Sequence, residues 1–101
     1  MILFNITIII EEGINDEWLQ WINREFIPEI TTTNLFTSSR LLRVIDSPNE
    51  GITYSLQFTL DGIDQYNTFR ANYQDKLMAG HANRFENKFV SFSSLMEFIN
   101  N

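Results

Sequence analysis

The chain has 101 residues and carries seven basic against thirteen acidic side chains, a net charge of −6, so its overall field does not steer it to nucleic acid or to an anionic membrane. Its length fits one domain, residues 1–101, and 44% apolar content supplies a real core. The absence of cysteine excludes disulfides and thiolate metal sites and fits a reducing, cytoplasmic setting.

The first predicted element is a strand from Ile2 to Glu11. Ile2, Phe4, Ile6, Ile8 and Ile10 fall on one face, and the β-branched density favours extended backbone. The apolar start has no basic region before it and soon meets Glu11 and Glu12, so it reads as a strand and not as a signal peptide. After a turn at Glu12-Gly13, a helix is expected with Asn15 as its N-cap and Asp16 and Glu17 in its first turn. Trp18, Trp21, Ile22 and Phe26 have the spacing of one buried stripe, and Pro28 is expected to end the helix near Phe26 or Ile27.

A second strand is expected from about Leu35 to Ile45. The turn-rich run Asp46-Ser47-Pro48-Asn49-Glu50-Gly51 then leads into a third strand, Ile52 to Leu60. That third strand alternates strictly. Ile52, Tyr54, Leu56, Phe58 and Leu60 make an apolar face, while Thr53, Ser55, Gln57 and Thr59 make a polar, uncharged one. Such a face suits a lined cavity or a wet subunit interface better than open solvent.

The second helix opens at Asp61 or Gly62, with a stripe of Tyr66, Phe69, Tyr73, Leu77, His81 and Phe85 that Gly80 interrupts. A fourth strand runs from about Lys88 to Leu95. The order β-α-β-β-α-β predicts an α+β, ferredoxin-like fold: a four-stranded antiparallel sheet with both helices on one face. Phe4, Ile6, Ile8, Tyr54, Leu56 and Phe58 are expected to face the helices, with Val90 and Phe92 from strand four. The opposite face is expected to carry Asn5, Thr7, Ser55, Gln57, Ser91 and Ser93 beside Leu3, Ile9 and Phe89, with Arg40 or Arg43 joining by a parity that the pattern leaves open. Lys and Glu are nearly absent from the strands, which points to a homodimer formed through this open sheet face.

Several stretches carry a resemblance to a known family: Trp18-Leu19-Gln20-Trp21-Ile22, Phe26-Ile27-Pro28-Glu29, Arg40-Leu41-Leu42-Arg43, Gly51 through Phe58, His81 with Phe85, and Lys88-Phe89-Val90-Ser91-Phe92. In this order the chain resembles an uncharacterised domain-of-unknown-function family found mainly in Bacteroides-like bacteria, of the dimeric α/β-barrel group. The resemblance spans essentially the whole chain and implies the fold and a dimer, not a reaction. Many of the similar sequences have His before the Ile-Pro pair, where this chain has Phe26. Proteins of this fold include cofactor-free monooxygenases, muconolactone-isomerase-like enzymes, haem proteins and plain binding proteins, so shared fold leaves the activity open.

His81 is the sole histidine, and so the weak candidate for a catalytic base or a haem ligand; a half-buried helix residue is its blander reading. Arg40 and Arg43 are candidate binders of a ligand carboxylate or phosphate, against a reading as solvent-facing or interface charges. Tyr54 is a candidate donor to a ligand oxygen, against a core ring with a satisfied hydroxyl. Asn5, Ser55 and Gln57 complete the candidate ligand-binding set. No metal site and no cofactor are expected, there is no glycine-rich phosphate loop, and the sheet lacks the exposed aromatics and basic flanks of an RNA-binding surface. The leading functional expectation is a non-enzymatic dimeric module that binds a small molecule or a protein. The alternatives are a cofactor-free oxygenase or isomerase acting on a small, flat, partly apolar substrate, and a structural dimer or assembly subunit. Neither nucleic acid nor membrane is expected as a partner.

Overall fold

The computed structural model describes residues 1–100. Four strands, β1 (Ile2–Ile10), β2 (Ser38–Arg43), β3 (Ile52–Leu60) and β4 (Phe89–Glu97), form one sheet in the order β2-β3-β1-β4, and every neighbouring pair is antiparallel. Two helices cover one face: α1 spans 15–31 after a short 3-10 turn at Glu12–Ile14, and α2 spans 63–84. This is the ferredoxin-like arrangement that the element order predicts.

The core lies between the helices and the central strands. Phe4, Ile6, Ile8 and Ile10 of β1 and Tyr54, Leu56, Phe58 and Leu60 of β3 are buried there, as their parity requires. Trp18, Ile22, Phe26 and Ile30 of α1 and Phe69, His81 and Phe85 at the α2 side complete it. Phe36, in the connector before β2, wedges between Phe58 and Phe69 at ring distances of 5.1 and 5.0 Å.

Both helices contain a wide turn, and each changes an expectation. The buried residues of α1 recur every four positions, a spacing that drifts around a regular 3.6-residue helix. A π turn at Ile22–Phe26 absorbs the drift. Pro28 then enters at the start of the segment Ile27–Thr31, where its missing N–H costs little, so the helix runs on past the expected stop at Phe26 or Ile27. Asn15 is the first helical residue and not the cap; its side chain instead accepts a hydrogen bond from the Tyr54 hydroxyl. In α2 a π turn at Arg70–Gln74 inserts one residue into the helical phase. Tyr73, expected on the buried stripe, is thereby turned out to 40% exposure, and Gln74 takes an inward position. Gly80 leaves the helix unbroken.

The strand faces need one correction. In β4, register pairs Phe89 with Ile10, Ser91 with Ile8 and Ser93 with Ile6, so Phe89, Ser91 and Ser93 share the helix-side face. Val90 and Phe92 lie on the open face, 61% and 59% exposed, the reverse of the expected parity. Strand two resolves as Arg40 opposite Gln57 on the open face and Arg43 opposite Tyr54 on the helix side.

Candidate functional site

His81 is buried in a cage of aromatic rings. Trp21 stacks on its imidazole at 5.4 Å, Phe89 approaches to 4.0 Å, and Phe26 and Phe85 lie at 5.5 and 6.0 Å. Trp18 closes the cage and donates its indole Nε1–H to His81 Nε2 at 3.0 Å. Burial among these rings holds the imidazole pKa down to about 4, so the ring is neutral at physiological pH.

One wall of the cage is open. Between α2 and β4 runs a cleft of about 360 Å³, walled by Gln74, Met78 and His81 from α2 and by Ser91 and Ser93 from β4, with Ile6 as its floor. Two causes leave this space. Serines at the two β4 positions facing the helices are too small to fill it. The π turn, for its part, places Gln74 over the sheet edge where a regular helix would present Tyr73. No side chain lining the cleft carries a formal charge when His81 is neutral. A larger hollow of about 600 Å³ lies at the end of the sheet near Gly51 and Asn87, but it is shallow and lined by solvated charges such as Glu11, Glu12 and Glu50. Of the buried polar residues, His81 lies in the α2–β4 cleft, while Asn5, Thr53 and Thr59 lie on the opposite face of the sheet.

The structure splits the sequence-predicted residues among three places. His81 lines the cleft. Tyr54 lies on the same side of the sheet but outside that cleft: its ring stacks on Trp18 at 4.7 Å and its hydroxyl donates to Asn15 Oδ1. Burial pushes that hydroxyl above the ordinary tyrosine pKa, against the opposing pull of the Arg43 charge and of the Asn15 hydrogen bond. Asn5, Ser55, Gln57 and Arg40 are on the opposite face. There Gln57 Nε2 donates to Ser55 Oγ at 3.2 Å, Ser55 donates to Asn5 Oδ1, and Asn5 Nδ2 donates to Thr7 Oγ1 at 3.0 Å. This ladder satisfies itself across β3 and β1. The structure therefore does not bring Asn5, Tyr54, an arginine and His81 into one pocket.

The sequence reading misses Gln74 and the Trp18 partner of His81, and it puts Ser91 and Ser93 on the open face, where the structure has them facing the helices. The serines follow from a strand-four parity that only register decides, and the indole donor lies 63 positions from its acceptor. Among the described residues no group of three or more His, Cys, Asp or Glu is placed to hold a metal ion. The imidazole itself is a poor fit for haem iron. A ligating Nδ1 would force the ring proton onto Nε2, against the Trp18 N–H.

The fold has counterparts among solved structures. SnoaB, a cofactor-independent oxygenase from Streptomyces nogalater, is 16% identical with a TM-score of 0.71, over 99% of this chain and 95% of that one. MhuD, solved with two manganese protoporphyrin IX molecules bound per active site, is 14% identical with a TM-score of 0.73, over 100% and 97%. A dimeric ferredoxin-like protein from an uncultured marine organism is 8% identical with a TM-score of 0.75, over 99% and 95%. At such identities the likeness establishes the fold. No curated protein sequence matches. The family profile of DUF4286, a domain of unknown function, matches residues 1–99, and the chain belongs to that family.

Proposed function

We propose that this protein is a homodimeric binding module that holds a small, flat, partly apolar molecule in the cleft between α2 and β4, its two sheets packed face to face across the dimer. The cleft carries the reading. It is a concave space with apolar surface, a few convergent polar groups and one strongly perturbed histidine, the combination expected of a small-molecule site. A second reading, a cofactor-free oxygenase or isomerase using the same cleft, is favoured by the likeness to a cofactor-independent oxygenase and to an antibiotic biosynthesis monooxygenase. In that case His81 acts by donating a hydrogen bond, because its Nε2 lone pair is engaged by Trp18 and its affinity for a proton is low.

Native mass spectrometry on gently purified protein tests both. A dimer carrying a reproducible extra mass of roughly a few hundred daltons, the size of a pocket ligand, supports the binding module. Conversion of that molecule by gain of oxygen or by isomerisation on standing in air supports the enzyme. A clean apo-dimer from several preparations moves the role to protein partners or assembly, and a monomer without ligand overturns the proposal.

A further inference from the structure

The hydrogen bond from Trp18 determines more than the position of His81. An indole N–H only donates, so His81 Nε2 must present its lone pair, and the neutral imidazole must carry its proton on Nδ1. Nδ1 has no hydrogen-bond partner among the described residues, yet it is not a sealed orphan. With His81 on the cleft wall, Nδ1–H is the polar group that the ring keeps for a visitor. Two helical turns earlier, Gln74 lines the same cleft, and its Oε1 is the one solvent-sealed side-chain N or O atom left without a partner among the described residues; rotation of the terminal amide presents that acceptor to the cleft. A buried acceptor with no donor is costly, and a ligand that supplies the donor recovers that cost.

The cleft thus offers a donor and an acceptor from residues seven apart on one helix, about 10 Å along its axis at about 1.5 Å per residue. A rise of that length accommodates a ligand of about one aromatic ring with a hydrogen bond at each end. Ser91 and Ser93 add adaptable hydroxyls opposite, and no lining group supplies a charge.

Resting on the reading of this cleft as a ligand site, we infer that its ligand is an uncharged, flat molecule about one ring long, with a hydrogen-bond acceptor at one end that meets Nδ1–H of His81 and a donor at the other that meets Oε1 of Gln74. Trp18 is a positioning residue that fixes the imidazole tautomer. Anionic ligands are selected against, because a carboxylate entering this cleft would lose its hydration without gaining a cation.

The tautomer is read first, by long-range proton–nitrogen NMR of His81 in the wild-type protein at neutral pH. The Nδ1–H form is expected; the Nε2–H form or an imidazolium overturns the inference. Binding is then read with para-hydroxyacetophenone, which has a carbonyl acceptor and a hydroxyl donor across one ring. Its addition should shift the His81 ring and the Gln74 side-chain amide. Para-methoxyacetophenone, without the donor, and para-ethylphenol, without the carbonyl, should each bind about tenfold more weakly, and para-hydroxybenzoate more weakly still. Gln74→Leu, at a half-buried position, should remove the preference for hydroxyl over methoxy while leaving the fold intact. Equal binding of all the neutral compounds, or preference for the carboxylate, overturns the inference and leaves the cleft as a ligand site. Failure of every compound to reach the cleft overturns both.

Discussion

Desolvation alone sets the protonation of His81, and this has a consequence for stability. In the unfolded chain the imidazole titrates near its ordinary pKa of 6.5, while in the fold it titrates near 4. The folded state therefore prefers the neutral ring. The resulting stabilisation is fully present above pH 6.5 and is lost as the pH falls from there toward 4. By pH 5 the loss amounts to about 2 kcal/mol. Urea unfolding of wild type and His81→Phe at neutral pH and at pH 5 isolates this share from that of the carboxylates, which both proteins have in common. The wild type should lose about 2 kcal/mol more than the variant; equal losses would show that the ring is not held neutral by its cage. The helical stripe makes the burial of His81 legible in the sequence, because Leu77, His81 and Phe85 recur at four-residue spacing. The donor that fixes its tautomer is not legible, since nothing local links Trp18 to a residue on another helix.

At the scale of elements, two glycines with opposite roles give a sharp contrast. Gly51 opens β3 with φ at +84°, and a Cβ there would sit 2.3 Å from the Ile10 carbonyl oxygen at the end of β1. That contact is with backbone and cannot be relieved by a rotamer change. Gly51→Ala should cost at least about 2 kcal/mol, combining left-handed strain with displacement of the β1–β3 ladder. Gly80 lies in the exposed part of α2 with open space around its Cα. Gly80→Ala should stabilise by about 0.5–1 kcal/mol, because alanine restricts the unfolded chain and favours the helix. Thermal melting of the two variants should move in opposite directions, and a Gly51→Ala protein as stable as wild type would show that the turn can take another conformation. The same scale explains where sequence reading succeeds and where it stops. In β1 and β3 bulky and small side chains alternate, so their faces can be read directly. In β4, Phe89, Val90 and Phe92 put apolar side chains on both parities, and only pairing with β1 decides between them. The π turns leave no local mark, so the continuation of α1 through Pro28 and the inward turn of Gln74 appear only once tertiary packing is known.

The whole molecule is a slab of 37 × 29 × 19 Å, one sheet thick and one helix layer thick, and its second sheet face is bare. That face is not built for water. Among its strand positions Arg40 is the sole charged residue, on a chain with thirteen acids and seven bases. Its centre is the hydrogen-bonded ladder from Gln57 to Thr7, and its margin carries Val90, Phe92, Met96 and Leu42, each at least 40% exposed. In the proposed homodimer a second copy of the chain, packed face to face, covers the apolar margin and meets the ladder with an equivalent, uncharged surface. It does so without bringing the two acidic exteriors together. The double substitution Val90→Glu with Leu42→Glu tests this arrangement, because both side chains stand clear of the monomer core and of the α2–β4 cleft and their replacement leaves the fold intact. Sedimentation velocity should show a dimer for wild type and a monomer with an unchanged far-ultraviolet spectrum for the variant. The separation should be sharpest at low salt, where the introduced carboxylates repel across the two-fold axis. A variant that remains dimeric would place the interface elsewhere. A variant that is monomeric but still takes up para-hydroxyacetophenone would show that the α2–β4 cleft is complete within one chain, as its lining from α2, β4 and Ile6 of β1 in a single copy requires.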